Sequence, residues 1–567
     1  MAIRIEIYLD GERLELSEGQ TVELEINSPA FSEQVVSGAF SWPIEVPMTA
    51  GNRCILDFAD LPESRVDFAR PRPGRFVSDA FETVCSISIL SVKKESFQLQ
   101  IRLGSSIAAE RLASSTLRQI GWPQNINLLA GSYYQGGPMP PDFASPQDLA
   151  AYLAAFEHVV LGFANEQALP DQTGYVCAPI LAAYDFESMG PIYNWGGLSA
   201  GAAPRVHVQM QAAAIIRKLF AWLEVSLEGR LLEDQALRRV VCYNRNTWPV
   251  LQTQFGYCPV HQVDWSTFVP PITAGDWFKA FCRYFFIAPF WSLDGRRCTL
   301  VRLKSLLASG ARLDWTQKVV PRLSALEQTE LEGYRIGYAV EPSDELAGTY
   351  LVDEWQEFAH GPFAPTLQDL PAQAQIDEVR YVASEDFYYR YDEQQQAWEP
   401  FAMPLAPYNL AGDKAYETGA ATIWGRHDPA SGLMLPRVKQ KAQKVEVPRF
   451  LNWLGRVRLS NDPSPQLAAP QISHRNLDGQ GVEVPFCDSL VLTDAGSVVE
   501  RHGRPWLDML EGSGKRLTVQ VMLSAAELAA LTLQEQVRIS GSRYLIVQVK
   551  ARLPVTGPSE VVLQKIG

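Results

Sequence analysis

Apolar and polar positions along this chain follow two periods, one of about 3.6 residues and one of about two residues. The clearest helical period lies in the first part of residues 275–303, which read GDWFKAFCRYFFIAPFWSLDGRRCTLVRL. Asp276 there places negative charge in a first helical turn. One broad apolar face follows it, formed by Trp277, Phe278, Phe281, Cys282 and Phe285. The pattern predicts a buried helix.

A two-stranded hairpin is predicted directly after this helix. Pro289 cannot continue a helix, and the apolar runs 290–293 and 298–303 flank Asp294-Gly295. That dipeptide favours the positive φ angles of a tight hairpin turn. Residues 275–303 therefore predict a helix-hairpin unit.

The same arrangement is predicted a second time, earlier in the chain. Residues 211–234 read QAAAIIRKLFAWLEVSLEGRLLED, and Glu228-Gly229 stands where Asp294-Gly295 stands in the later unit. The helical stripe consists of Ile215, Ile216, Leu219, Phe220 and Leu223. We expect a duplicated core. Neither unit contains a titratable cluster, so both predict scaffold rather than chemistry.

The N-terminal residues have the two-residue period of strands. Ile3, Ile5, Ile7 and Leu9 alternate with polar residues up to Asp10-Gly11, and apolar positions return at Leu14 and Leu16. Further alternating runs lie at 22–26, 84–92 and 97–103. We expect a small β domain, with Pro43, Pro47 and residues 62–73 at its irregular edge.

Later segments carry turn and cap signals. Ser145 and Pro146 begin a predicted helix. In region 314–448, runs 379–383, 387–391 and 397–401 predict strands. Near the C-terminus, Ser524 and Glu527 form a capping box before a short helix at 528–531. The flanking strands are predicted at 517–523, 537–539, 544–550 and 561–566, and we expect no lytic or fibre domain after them.

These elements predict an α+β, mainly β, multidomain fold of small β-barrels or sandwiches joined by helix-hairpin units. The chain has 567 residues, several times the roughly 150 residues of an ordinary single domain. We expect an N-terminal β-barrel domain at 1–120, a loop-rich connecting region with a short helix at 121–205, the duplicated helix and β-hairpin units at 206–313, an inserted β-rich domain at 314–448, and a C-terminal α+β barrel-like domain at 449–567.

Composition narrows the set of partners. Fifty basic and 64 acidic residues give a formal net charge of -14, which opposes unspecific attraction to nucleic acid and to anionic membranes. No apolar run reaches the ~20 residues of a membrane span, and the first residues read as a strand rather than a secretion signal. Eight scattered cysteines without a C-x-x-C pair predict reduced, buried thiols and synthesis in a cytoplasm.

Three segments resemble catalytic motifs, and each has a simpler explanation. Gly197-Leu198-Ser199-Ala200-Gly201 matches G-x-S-x-G, but it lacks the strand and helix of a nucleophile elbow. Gly512-Ser513-Gly514-Lys515 resembles a phosphate loop, but Met509 and Arg516 replace required residues, so we expect a turn entering the strand at 517. Asp353, Glu354 and Glu357 beside Trp355 suggest a glycosidase, although such acidic groups commonly form a solvated face.

One basic stretch stands out in this acidic chain. It could meet an acidic neighbouring subunit or nucleic acid passing nearby, or it could be a solvated strand face. Its members are Arg437, Lys439, Lys441, Lys444, Arg449, Arg456 and Arg458. The seven histidines stand apart from one another in the sequence. We therefore predict no catalytic, cofactor-binding or metal-binding residue, no cofactor, and no enzyme activity.

Several short patterns occur in a consistent order along the chain. In the N-terminal part they are LDGERLEL at 9–16, SGAFSWPI at 37–44, VPMT at 46–49 and Asn52. In the middle they are Asn194-Trp195, LLED at 231–234, WFKAFCRYFFIAPF at 277–290 and LDWT at 313–316. In the C-terminal part they are RFL at 449–451, DSL at 488–490, the run at 517–551 and VVLQKIG at 561–567. In this order the chain resembles the tail-tip (baseplate) hub proteins of tailed phages and prophages.

The resemblance implies a hub fold and a structural role. Such hubs form a closed ring, usually of three copies, at the end of the tail tube. Two similar barrels in each chain let a threefold ring present a pseudo-sixfold face to a sixfold tube. It implies a homotrimer at the virion tail tip that contacts the distal tail or tail tube protein, the tape-measure protein, and spike or fibre proteins. DNA would only pass through the channel, and no stable membrane insertion is expected.

Two other functions stay open at this point. A carbohydrate- or receptor-binding tail module is suggested by 14 tryptophans and 20 tyrosines and by aromatic loops near Tyr133 and Trp195. A cell-wall hydrolase is suggested by Ser199 and by the acidic residues at 353–357.

Overall fold

The structure is a computed structural model. It describes residues 5–32, 40–41, 43–68, 70–79, 81–122, 126–127, 143–156, 174–177, 208–244, 246, 248–260, 262–328, 334–337, 339, 363–374, 378–382, 387–392, 395–402, 408–409, 414–417, 420, 424–428, 433–437, 447–453, 456–458, 465–467, 487–490, 492, 496–512 and 515–566.

Strands make up most of the described secondary structure. The N-terminal strands are β1 (Glu6–Leu9), β2 (Glu12–Arg13), β3 (Val22–Asn27), β4 (Phe40–Ser41), β5 (Ile44–Pro47), β6 (Arg72–Val77), β7 (Glu82–Val92) and β8 (Ser96–Leu103). The next strands are β9 (Ile126–Asn127), β10 (Tyr175–Cys177), β11 (Val208–Gln211), β12 (Ser226–Glu228), β13 (Val240–Cys242), β14 (Val250–Thr253), β15 (Gly256–Pro259), β16 (Gln262–Val263), β17 (Ile287–Trp291), β18 (Arg297–Arg302), β19 (Leu313–Asp314) and β20 (Val319–Gln328).

The remaining strands belong to region 314–448 and to the C-terminal part. They are β21 (Tyr334–Gly337), β22 (Phe363–Ala364), β23 (Val379–Val382), β24 (Phe387–Asp392), β25 (Ala397–Ala402), β26 (Tyr408–Asn409), β27 (Lys414–Glu417), β28 (Trp424–Asp428), β29 (Leu433–Arg437), β30 (Phe450–Asn452), β31 (Arg456–Arg458), β32 (Pro465–Leu467), β33 (Lys515–Val521), β34 (Gln536–Ile539), β35 (Ser542–Leu553) and β36 (Ser559–Ile566).

The helices are short. They are α1 (Ala50–Ile55), α2 (Ser105–Ser114), α3 (Pro146–Phe156), α4 (Ala212–Leu223), α5 (Gln235–Arg238), α6 (Ala274–Tyr284), α7 (Leu303–Ala308), α8 (Arg504–Gly512) and α9 (Ala525–Ala530). A π-helical turn, Val499–Gly503, runs directly into α8. With several sheets and these few helices, the described chain is mainly β, as predicted. No helix among its described residues has the length and apolar character needed to cross a membrane.

The largest sheet joins the two ends of the chain. Its 14 strands follow the order β2-β1-β6-β7-β8-β4-β3-β35-β36-β33-β20, with β5 on β8, β34 on β35 and β19 on β34. The joint is the antiparallel pair of β3 and β35, whose register runs from Val22 opposite Leu553 to Asn27 opposite Gln548. Strands predicted in the N-terminal and C-terminal parts therefore share one sheet and one hydrophobic core.

The strands predicted at both ends are confirmed, and tight hairpin turns join them. Asp10 and Gly11 take φ angles of 50° and 90° between β1 and β2. Ser540 and Gly541 take 47° and 85° between β34 and β35. Positive φ at both central positions gives the turn type that matches the twist of paired strands. The capping box of Ser524 and Glu527 is also present at α9.

The proline-rich N-terminal segment is more regular than predicted. β5 pairs with β8, and β6 lies between β1 and β7. Pro73 fits into β6 because it stands at the second position of the strand, and its carbonyl oxygen accepts a hydrogen bond from Asp10 N at 3.1 Å. Residues 72–73 are thus not part of an irregular edge.

The helix-hairpin unit at 275–303 is confirmed. Thr273 caps α6 by accepting a hydrogen bond from Asp276 N at 3.0 Å, and β17 pairs antiparallel with β18. Pro289 lies in β17, an edge strand of the sheet β12-β18-β17, where its missing N–H is tolerated.

The predicted second copy of this unit is wrong. Helix α4 forms, but β12 does not turn back into a hairpin; it pairs parallel with β18, from Ser226 opposite Arg297 to Glu228 opposite Thr299. The next residues form a 3₁₀ turn at Leu231–Glu233 and then α5, whose first N–H groups bond to Asp234. Asp234 is the N-cap of α5, so the chain enters a helix where a second hairpin strand was predicted, and β12 joins the sheet of the later hairpin instead.

The middle of the chain carries the other sheets. β10-β11-β13-β30 form a four-stranded sheet, and β22-β23-β24-β25-β28-β29 form a six-stranded sheet. The strands predicted at 379–383, 387–391 and 397–401 are confirmed as neighbours in the six-stranded sheet. The helix predicted at Ser145 is confirmed as α3, with Asp148 N bonded to Ser145 Oγ at 3.2 Å.

Candidate functional site

Several residues singled out in the sequence lie outside the described part of the chain. They are Ser199 with its G-x-S-x-G motif, Asp353, Glu354, Trp355 and Glu357, and the aromatic residues Tyr133 and Trp195. Gly512 is the last residue of α8 and Lys515 the first of β33, so the phosphate-loop-like segment connects a helix to the predicted strand.

The basic stretch is not one continuous exposed strand face. Arg449 is buried, with 3% of its surface exposed, immediately before β30. Arg437 ends β29, whereas Arg456 and Arg458 belong to β31, a different sheet. Lys439, Lys441 and Lys444 lie outside the described residues.

Phe450 is the centre of an aromatic cluster that links β30 to α6. Its ring centroid lies 5.9 Å from that of Trp277, 6.0 Å from Phe281 and 5.5 Å from Phe285. Trp277 also donates its indole N–H to Cys242 Sγ at 3.3 Å. The helical face predicted from the sequence therefore packs against the RFL segment, about 170 residues later in the chain.

Beside these rings lies a group of charged side chains with a buried centre, which we call the Asp488 cluster. Its members are Asp234, Arg302, Lys304, Asp488, Arg501 and His502. The short helix after Asp234, the end of β18, helix α7 and the π-helical turn place these residues together. Arg302, Asp488 and His502 are 4%, 6% and 7% exposed.

Asp488 accepts most of the contacts in the cluster. His502 Nε2 lies 2.7 Å from Asp488 Oδ2, and Arg501 donates to Oδ1 at 3.2 Å. Because an ionised carboxylate only accepts hydrogen bonds, Nε2 carries the proton. The Asp488 backbone carbonyl accepts from Asn452 Nδ2 at 2.7 Å, which ties the cluster to β30.

Arg302 lies between two carboxylates. One of its terminal nitrogens is 3.8 Å from Asp234 Oδ2 and 3.8 Å from Asp488 Oδ2. The other donates to the Phe285 carbonyl oxygen at 2.9 Å. Nearby, Lys304 donates to the Arg501 carbonyl oxygen at 2.8 Å. The charges thus connect helix α7 to the π-helical turn.

Burial and charge act in opposite directions on the two central groups. Burial favours a raised pKa for Asp488, but the hydrogen bond from His502 and the positive charges nearby, Arg302 and Arg501 among them, bring that pKa below its usual value. Burial lowers the pKa of His502; the hydrogen bond with Asp488 opposes this, and Arg302 adds to it. At neutral pH the pair is a carboxylate and a neutral imidazole.

An imidazole oriented by a carboxylate can serve as a base in catalysis. Here both side chains are more than nine-tenths buried, and the chemistry their position allows is uptake of a proton. Within the described ranges, no three His, Cys, Asp or Glu residues are grouped as metal ligands. The cluster is therefore a structural charge network with a titratable centre.

Sequence reasoning missed this cluster. In the sequence, Asp234 and Asp488 belong only to the LLED and DSL patterns, and His502 stands apart from the other histidines. The one local signal is the residue type of Asp234, because aspartate is a favoured N-cap and a short helix begins directly after it. Its approach to Arg302 depends on tertiary packing.

A cleft of about 380 Å³ lies where β3, the hairpin turn 292–295 and the segment after α9 meet. Its carboxylates already have partners: Glu82 pairs with Arg75 at 2.9 Å, Glu228 lies 3.9 Å from Arg297, and Asp294 accepts from Arg296 N at 3.1 Å. We assign this cleft no ligand.

Comparison with known proteins yields structural neighbours alone. No protein-family model and no curated protein matches the chain. The 43 kDa tail protein of prophage MuSo2 from Shewanella oneidensis shares 7% identity with this chain over 99% of it and 97% of that protein, at a TM-score of 0.33. A tail protein from Neisseria meningitidis MC58 shares 8% identity over 100% and 97%, at a TM-score of 0.31. At these TM-scores the function has to be argued from the chain's own residues.

Proposed function

We propose that this protein is a structural, non-enzymatic hub of a phage tail tip or a phage-derived injection device. In this role it forms a ring of three copies that joins the tail tube to the central spike or fibre parts. Its neighbours would be the distal tail or tail tube protein and the tape-measure protein. DNA would meet it only in passage through the channel.

The observation that carries this proposal is that the patterns that resemble the hub family meet in one contact region. Asp234 of LLED and Asp488 of DSL face the same guanidinium, that of Arg302. Phe450 of RFL packs on the aromatic face of WFKAFCRYFF. The sequence patterns that resemble the hub family thus supply the contacts that hold distant segments of the chain together, as a scaffold requires.

The joint between the chain ends supports the same role. The pairing of β3 with β35 places residues 22–27 and 548–553 in one sheet over one core. Gln548 Nε2 adds hydrogen bonds across this joint to Glu25 at 2.7 Å and Asn27 at 2.8 Å. A part that transmits force between tube and spike needs this rigidity, because separate domains on a linker would move independently.

The oligomeric state provides the first test. Three copies of 63.1 kDa give a particle of about 189 kDa, which mass photometry separates readily from a monomer. We expect a trimer under assembly conditions, and cryo-EM of the parent particle should place it at the tail tip. A monomer under all assembly conditions, or a position along the tube or on the capsid, would contradict the hub role.

Two further experiments distinguish the hub from a carbohydrate- or receptor-binding module and from a cell-wall hydrolase. A glycan array should be blank for a hub, and reproducible binding to one sugar class would support a receptor-binding module instead. Zymography on cell-wall substrate should show no clearing. Clearing that disappears in Ser199→Ala or Glu354→Gln would identify a hydrolase.

A further inference from the structure

We propose that the Asp488 cluster is an acid-sensitive contact, in which uptake of a proton by His502 releases the π-helical turn and α8 from the helix-hairpin unit. This goes beyond the structural role proposed above and holds whatever the assembly state. It rests on what surrounds His502, on the strain next to it, and on the elements that the cluster joins.

The imidazole has one satisfied nitrogen and one unsatisfied nitrogen. Nε2 donates to Asp488, whereas Nδ1 is buried and has no hydrogen-bond partner among the described residues. A proton added in acid goes to Nδ1. It would create a buried, charged N–H donor without an acceptor, which costs free energy until water reaches it. Opening of the contact admits that water.

The surrounding charge also disfavours a second proton on this ring. Besides burial, the positive charges of Arg302, at the end of β18, and Lys304, in α7, both lower the pKa of His502. With His502 neutral, the cluster holds three positive side chains and two carboxylates, so protonation adds to an existing positive excess. The hydrogen bond with Asp488 and the charge of that carboxylate oppose this, but Asp488 already accepts bonds from His502 and Arg501.

The backbone beside the cluster is strained. Phe286 takes a left-handed φ of 52° although it is not glycine. Its ring lies against the Gly503 backbone so closely that a β-carbon on Gly503 would be 2.4 Å from the ring. A π-helical turn at the same place leaves the regular helical hydrogen-bond pattern. Such strain persists only while the surrounding contacts hold it.

The contact connects two parts of the molecule. On one side lie β18 and α7, and on the other lies α8, which leads through Gly512 to β33 of the large sheet. Trp506 and Leu507 of α8 are buried in the same hydrophobic core as the helix-hairpin unit. Release of α8 would therefore loosen the link between this unit and the large sheet without breaking the sheet.

Hydrogen exchange on the full chain, measured by mass spectrometry and corrected for intrinsic rates, tests the proposal. Peptides covering 497–512 should lose protection between about pH 7.5 and about pH 5, the range in which histidine charges. Peptides covering 542–553 should keep their protection over the same range. Equal loss in both segments would mean general acid unfolding and would overturn the proposal, as would unchanged protection in 497–512.

The variant His502→Gln separates the proton from the hydrogen bond. Its side-chain amide can still donate to Asp488 but does not titrate, so protection at 497–512 should stay level down to about pH 5. A profile identical to that of the natural chain would overturn the proposal.

Lys304→Met, at a partly exposed position, gives a second measurement if the first variant does not fold. Removal of this positive neighbour should move the loss of protection to lower pH, and an unmoved profile would count against the role of His502.

Discussion

Gly104 and Gly295 touch backbone to backbone. A β-carbon placed on Gly295 would lie 2.3 Å from the carbonyl carbon of Gly104, and one placed on Gly104 would lie 2.3 Å from the Asp294 carbonyl oxygen. The contact presses the hairpin turn of the helix-hairpin unit against the junction of β8 and α2. Both partners are backbone atoms, so neither can move aside as a flexible side chain would.

Gly295→Ala should destabilise the protein by roughly 1–3 kcal/mol, the range for overpacking, beyond the cost of its φ angle. Gly295 also holds a φ of +68°, which disfavours alanine. The check is the urea midpoint followed by circular dichroism. Gly11→Ala is the matched control, because Gly11 has a φ of +90° in a hairpin turn but no atom within 4 Å of a β-carbon. Equal losses in the two variants would refute the tight contact.

This pair shows what the sequence could predict and what it could not. Asp294-Gly295 predicted the turn because positive φ is a local property. Its contact with Gly104 is tertiary and leaves no mark within either segment. The false second hairpin has the same origin: Glu228-Gly229 has the residues of a turn, yet β12 pairs with β18, a strand about 70 residues later in the chain. Likewise, Arg302 and His502 become one site only through packing, so their isolation in the sequence concealed it.

Leu24→Ala should loosen both ends of the chain together. Leu24 lies in β3 opposite Ala551 of β35, and it is 2% exposed in the shared core. Removal of a buried leucine side chain costs about 2–5 kcal/mol. Hydrogen exchange should therefore rise in β35 as well as in β3. Leu90→Ala, at a position 43% exposed, should leave both unchanged. Full protection of β35 in Leu24→Ala would show that the two ends unfold independently.

Alkylation of the native protein should separate the cysteines by burial. Cys54 is exposed, whereas Cys242 and Cys282 lie in the core. Burial raises the pKa of the Cys242 thiol to about 12 and that of Cys282 well above its usual value, so neither forms the reactive thiolate at neutral pH. Brief treatment with iodoacetamide at about pH 8, followed by peptide mass spectrometry, should modify Cys54 and spare Cys242 and Cys282 until urea is added. Modification of Cys242 as fast as Cys54 would contradict the packing around α6.

Glu527→Gln should destabilise α9 at neutral pH and lose that effect in acid. The hydrogen bond from Lys318, together with those from Ser524, lowers the pKa of the Glu527 carboxyl from 4.5 to about 2. A folded pKa below the unfolded one stabilises the protein above about pH 4.5, and this contribution disappears as the pH falls towards about 2. Glutamine keeps the shape of the capping box and removes the charge, so the comparison isolates the ion pair with Lys318. The measurement is the difference in urea midpoint between the natural chain and Glu527→Gln. Because Glu527 is largely exposed, this difference should be small, and it should be reduced further in high salt. A difference that stays constant from pH 7 to pH 3 would mean that the carboxylate charge contributes nothing to the cap.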